Sequence, residues 1–214
     1  TPYVVLEFVE GHTDFAPQNM DDFLRQMAKM LAQIHTIDTS QYDLSFLRRQ
    51  SDWHRTKLRM YAENADKTED EARILAILQD GFLFDAVNPP VLLHGDFWCG
   101  NILWRDEKLV AVIDWEDAAT GNPLSDLSTA RRELIWAFGM EAMHKFTAFY
   151  QIFMPDLNYE QLPCHDLMVA LQPEEEFMAW AEGWDEYGRD DVTGETLLAG
   201  HRAFVAQAQA KLAL

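Results

Sequence analysis

The pattern of apolar and polar positions along this chain predicts a mostly helical domain that carries a few short strands. Residues 3–9 form an apolar run that predicts a strand, with a turn at Gly11. From 19 to 37 the apolar positions Phe23, Met27, Met30, Leu31 and Ile34 fall at helical spacing, with Asn19 or Asp21 placed to cap the first turn. The segment 51–65 is a mixed helix. Thr68 opens the next one, because Glu71 three positions later completes a capping box and brings Ile74, Leu75, Ile77 and Leu78 to a core face. Pro89 and Pro90 interrupt it, and Val91, Leu92 and Leu93 read as a short strand. Residues 102–104 and 108–113 predict a hairpin around Arg105, Asp106 and Glu107. Beyond Gly121, Asn122 and Pro123 the pattern is helical over 125–137, 140–153, 159–171, 174–187 and 195–212, punctuated by Gly139, Pro155, Pro173 and Gly188. The expected fold class is mainly α with a few short β-strands, an α+β arrangement.

Composition narrows the partners. The chain has 214 residues and 48% hydrophobic side chains, enough for a sizeable core. Its 36 acidic and 17 basic residues give a formal charge of −19, which argues against nucleic acid and anionic membranes and is compatible with a cationic small molecule. A solvated acidic surface accounts for the same balance. Cys99 and Cys164 are the only cysteines, and Cys99 lies inside the polar motif described next. That disfavours a structural disulfide and fits a reducing, cytoplasmic setting. No apolar run reaches about 18 residues, so no spanning helix is expected. The strand-like start without a Met suggests a piece of something longer.

The chemistry concentrates in 91–116. Asp96 stands five positions before Asn101, and Asp114 closes an apolar run. A carboxylate that orients and deprotonates a hydroxyl, plus an amide oxygen and a second carboxylate for Mg²⁺, is the set that metal-assisted phosphoryl transfer requires. The pattern H-G-D-x-x-x-x-N arises by chance in a chain this long on the order of one time in a thousand.

His94, Gly95, Asp96, Phe97, Trp98, Cys99, Gly100 and Asn101, followed by Ile113, Asp114, Trp115 and Glu116, resemble the aminoglycoside phosphotransferase and choline kinase-like enzymes. The resemblance implies the C-terminal lobe of a protein-kinase-like fold. Residues 1–11 would be a hinge strand leading from a missing N-terminal lobe, and 12–214 a helical lobe carrying the catalytic loop and metal-binding hairpin at 91–116. It further implies ATP and Mg²⁺ as cofactors and a small-molecule hydroxyl (an aminoglycoside, choline or a related metabolite) as acceptor. Asp96 matches the catalytic base, and Asn101 and Asp114 the metal ligands. His94 and Asp126 match residues that support the catalytic loop. Glu7 and Val9 are candidates for adenine contacts through the main chain, and Leu103 and Ile113 for the apolar floor beneath the base. Trp98, Trp115 and Glu116 are candidates for lining the acceptor site. Cys99 replaces a Pro common in the family, which lowers loop rigidity rather than changing chemistry. The Gly-rich phosphate loop and Lys–Glu pair have no counterpart in the 214 residues, so little or no turnover is expected of this fragment alone.

Blander readings stand beside these. Asp14, Asp21 and Asp22 read as a solvated helix start, and Glu174, Glu175 and Glu176 as the first turn of a helix. Trp180 and Trp184, four apart, read as core. Asp185, Glu186, Asp190 and Asp191 leave a cation-binding role open. A non-catalytic kinase-like binding module is the alternative function. A metallophosphatase would need further His ligands that the sequence lacks.

Overall fold

The computed structural model describes residues 7–64, 68–82, 87–173 and 176–212. Helix α1 (Met20–His35) starts at Asn19, whose side chain accepts the Asp22 amide, and buries Phe23, Leu24, Met27, Leu31 and Ile34. β1 is only Arg48–Arg49, followed at once by α2 (Gln50–Glu63). α3 (Glu69–Gly81) carries the full capping box, with Thr68 and Glu71 each receiving the other's backbone N–H. Next come β2 (Val91–Leu93), a single 3-10 turn at Cys99–Asn101, β3 (Ile102–Arg105), β4 (Lys108–Val112) and β5 (Ala119–Gly121). The remainder is α4 (Leu124–Phe153), α5 (Leu162–Ala170), α6 (Glu176–Ala181), a 3-10 turn at Trp184–Tyr187 and α7 (Gly194–Leu212).

α4 is the spine. Its residues Leu124, Leu127, Ala130, Leu134, Met143 and Phe146 are fully buried. α1, α5 and α7 all pack against it. α4 is two helices in sequence terms: Gly139 has φ 86° and ψ 176°, a conformation open only to glycine, and breaks it where the periodicity predicted. A buried Arg131–Asp166 ion pair ties α4 to α5, with Nε at 3.0 Å and Nη2 at 2.8 Å from the two carboxylate oxygens. Ser128 and Gln207 donate to the same carboxylate, so this charge is satisfied inside the core.

Two small sheets hold the polar motif. β5 lies between β1, parallel, and β2, antiparallel with Val91 opposite Gly121 and Leu93 opposite Ala119. β3 and β4 form the expected hairpin, turned by Asp106 and Glu107 at φ 51° and 58°. The expected strand over 3–9 is not seen in its described part: residues 7–9 have no regular structure, and 3–6 lie outside the described residues. Gly11 is not a turn either. It runs against β3, where a Cβ would stand 3.0 Å from the Leu103 Cβ, and His12 then makes an antiparallel bridge to Trp104. β1 and β5 escape sequence reading because strands of two and three residues carry no period. The helices expected over 159–171 and 174–187 are shorter. Of the latter, Glu174 and Glu175 lie outside the described residues, and Gly183 separates α6 from the 3-10 turn.

Candidate active site

The loop after β2 is held from below. Asp126, in the first turn of α4 and 1% exposed, accepts the backbone N–H of His94 at 2.7 Å and of Gly95 at 3.0 Å. His35 of α1 points Nε2 at the same carboxylate, 3.2 Å away, and its Nδ1 lies 2.6 Å from the Tyr150 hydroxyl. Gly95 takes φ 89°, and a Cβ there would lie 2.1 Å from the Asp117 carbonyl oxygen. Only glycine lets the two loops approach this closely.

His94 is fully buried and bridges the loops. The Ile113 carbonyl, 2.9 Å from Nε2, can only accept, so Nε2 carries the proton. Nδ1 is then free to accept the Asp96 N–H at 3.3 Å. The Trp115 ring packs on the His94 ring at 4.6 Å, pinned by its own indole N–H on the Val112 carbonyl.

Asp96 and Asn101 meet. Asn101 Nδ2 donates to the Asp96 carbonyl at 3.0 Å and to its Oδ2 at 2.9 Å. Both partners accept only, so the amide oxygen of Asn101 is the end turned away. The Asn101 carbonyl receives the Ile113 N–H at 2.9 Å, which brings Asp114 one residue further along to the same edge. Asp114 is exposed and left-handed, at φ 61°. Burial pushes the Asp96 carboxyl above the usual carboxylate range, with the negative Asp117 adding to the rise; Arg132, the Asn101 hydrogen bond and His94 pull the other way. The Asp114 carboxylate and the Asn101 amide oxygen are hard ligands of the kind suited to Mg²⁺, which keeps one or two protein carboxylates and takes the rest of its shell from phosphate and water. Among the described residues no group of three or more His, Cys, Asp or Glu could enclose a metal by itself.

The other candidates are placed less uniformly. Leu103 is half-buried under Gly11, and Ile113 is exposed. Glu7 and Val9 are exposed, and among the described residues no hydrogen bond or ion pair ties them to Leu103 or Ile113. Trp98 is half-buried in an aromatic group with Phe15, Trp184 and Tyr187, at ring distances of 6.1, 6.0 and 5.8 Å. Glu116 is exposed. Cys99 is buried and free, and burial pushes its thiol far up, which leaves it inert.

Sequence reasoning missed two neighbours of the loop. Arg48 pairs with Asp117 at 2.8 Å, clamping the segment that covers Gly95. On α4, Arg132 and Glu133 form a buried ion pair at 2.6 Å, with the guanidinium between the Trp136 and Trp180 rings at 4.8 and 5.5 Å. The charged run 131–133 between Ala130 and Leu134 was the available signal.

The model of the phosphotransferase enzyme family matches residues 1–189 of the chain. Among curated proteins it is similar to acyl-CoA dehydrogenase family member 11 of Gallus gallus, 35% identical over 60 residues, which are 27% of this chain and 8% of that protein. It is also similar to the probable acyl-CoA dehydrogenase IBR3 of Arabidopsis thaliana, 23% identical over 182 residues, 73% of this chain and 21% of that protein. Among solved structures, aminoglycoside-3'-phosphotransferase of type VIII superposes with a TM-score of 0.56 at 19% identity, covering 78% of this chain and 67% of that one. The streptomycin-ATP-APH(2")-IIa ternary complex gives a TM-score of 0.52 at 22% identity, covering 77% and 61%. At these identities the structures establish a shared protein-kinase-like fold. The chain spans less than a quarter of the length of the two curated relatives.

Proposed function

The chain belongs to the phosphotransferase enzyme family, and on that premise we propose that it transfers the γ-phosphoryl group of ATP to a hydroxyl of a small molecule. The observation that carries this reading is the Asp96–Asn101 contact. It commits Oδ2 of Asp96 to Asn101 and leaves Oδ1 for an acceptor hydroxyl. A carboxylate raised by burial is a better base than an ordinary one, so Asp96 would orient the hydroxyl and take its proton at Oδ1. Asn101, through its amide oxygen, and Asp114 would hold Mg²⁺. When bound, ATP with Mg²⁺ supplies the transferable phosphoryl and neutralises its developing charge. Main-chain groups of Glu7 and Val9 would receive adenine above Leu103 and Ile113. His94 and Asp126 would keep the loop in register, and Trp98, Trp115 and Glu116 would border the acceptor.

The charge of −19 favours a cationic acceptor such as an aminoglycoside or choline. The curated relatives are named acyl-CoA dehydrogenases, so hydroxylated acyl groups belong in the same acceptor screen. The test is Mg²⁺-dependent ATP binding and turnover by the full-length polypeptide. Asp114→Ala is expected to weaken metal–nucleotide binding at least tenfold, and Asp96→Ala to leave binding intact while removing turnover. Equal nucleotide binding in parent and both variants, with no turnover in any, would replace this reading with a non-catalytic binding module.

A further inference from the structure

A cavity of about 630 Å³ opens behind the small three-stranded sheet. It lies within the size range of small-molecule sites. Gln50 and His54 of α2, Leu44 of the preceding loop, Thr120 of β5 and His165 of α5 contribute to its wall. It is not the candidate active site: Asp96, Asn101 and Asp114 do not line it. The pairing of β2 with β5 puts Val91 and Gly121 at the cavity end and Leu93 and Ala119 at the catalytic-loop end.

Two buried polar atoms on this wall lack partners among the described residues. His165 is 2% exposed; its Nδ1 is 3.3 Å from the Ser125 hydroxyl, and its Nε2 has no hydrogen-bond partner among the described residues. Gln50 directs its amide nitrogen to His54 Nε2 at 3.3 Å and leaves Oε1 unpaired. Each such atom destabilises the fold if it stays unsatisfied, since it has given up its hydrogen bond to water. Burial also keeps both imidazoles neutral, lowering His165 to about 3 and His54 well below its ordinary value. With the Ser125 hydroxyl donating to Nδ1, His165 offers Nε2–H as a donor while Gln50 offers an acceptor.

Among the described residues the lining contains no Asp or Glu. The one full charge among the described lining residues, Arg49, sits on an exposed strand. The rest of the polar lining is hydroxyl, amide and imidazole. A neutral molecule with several hydroxyls satisfies such a wall, because each hydroxyl both donates and accepts. An anion would leave the Gln50 oxygen facing negative charge.

We propose that this cavity is a second binding site, separate from the phosphoryl-transfer site, for an uncharged polyhydroxylated molecule of monosaccharide to disaccharide size. The test is titration of the full chain, labelled with ¹⁵N-histidine, with myo-inositol, trehalose and acetate while the imidazole nitrogen resonances are followed. Saturable shifts at His165 and His54 with a polyol, at a Kd below about 1 mM, and none at His94, are expected. Leu44→Trp, which fills the cavity from a loop, and His165→Phe are each expected to weaken binding at least tenfold. The Leu44 variant decides the matter if the His165 variant does not fold. Shifts that stay linear with every polyol mean a hydrated void and overturn the proposal. So do tighter binding of acetate than of either polyol, or unchanged affinity in Leu44→Trp.

Discussion

Asp126 is the residue whose replacement tests the construction of the site most directly. Its carboxylate accepts two backbone N–H groups at 2.7 and 3.0 Å and faces His35 Nε2 at 3.2 Å, and the residue itself is 1% exposed. Asp126→Asn keeps the shape but turns one acceptor into an NH₂ group that confronts a backbone donor. Losing one charge-assisted hydrogen bond and stranding a buried donor costs about 2–3 kcal/mol. For a chain of this size that is a fall in Tm of about 4–12 °C. Asp126→Ala strands all three donors and is expected to cost about 3–5 kcal/mol, a large share of a typical folding free energy. The assay is urea unfolding followed by tryptophan fluorescence and circular dichroism. Asp21→Asn is the control, since Asp21 pairs with Lys145 at 2.9 Å but is 64% exposed, and it should stay within about 0.5 kcal/mol of the parent. If Asp126→Asn also stays within about 0.5 kcal/mol, the carboxylate does not hold the loop after β2 and the argument fails.

Two further outcomes follow from the geometry. Gly95→Ala should cost about 2–4 kcal/mol, since it combines φ 89° with a Cβ 2.1 Å from the Asp117 carbonyl, whereas Gly139→Ala at φ 86° meets nothing within 4 Å and should cost less; equal losses in thermal unfolding would contradict this. His165, lowered by burial to about 3, stays neutral in the folded state while the unfolded chain takes up a proton below about pH 6.5. Folding stability should therefore fall as pH drops from about 6.5 towards 3, and His165→Gln should remove up to about 1.4 kcal/mol per pH unit of that slope in urea titrations; parallel slopes would refute it.

Legibility followed the range of the interactions. The capping box at Thr68, the cap at Asn19 and the break at Gly139 were readable because they are decided within four residues. The hairpin was readable for the same reason. The nearness of Asp96, Asn101 and Asp114 was half readable: the first two share a loop, and the third lies across one hairpin. Gly11 was misread as a turn because its role is a close approach to Leu103, which lies 92 positions later in the chain and leaves no local mark. Arg48 on Asp117 and Arg132 with Glu133 went unnoticed because a charged residue in isolation reads as surface.

The sequence by itself determined the helical segments, the hairpin and the chemical identity of the motif, since periodicity, capping and residue type are local properties. Only the tertiary structure decided that Asp126 and His35 anchor the loop, that burial raises Asp96, and that Gln50 and His165 face a cavity with polar atoms unmatched. Desolvation and hydrogen-bond satisfaction depend on what surrounds an atom in space. The order of residues records that only through the finished fold.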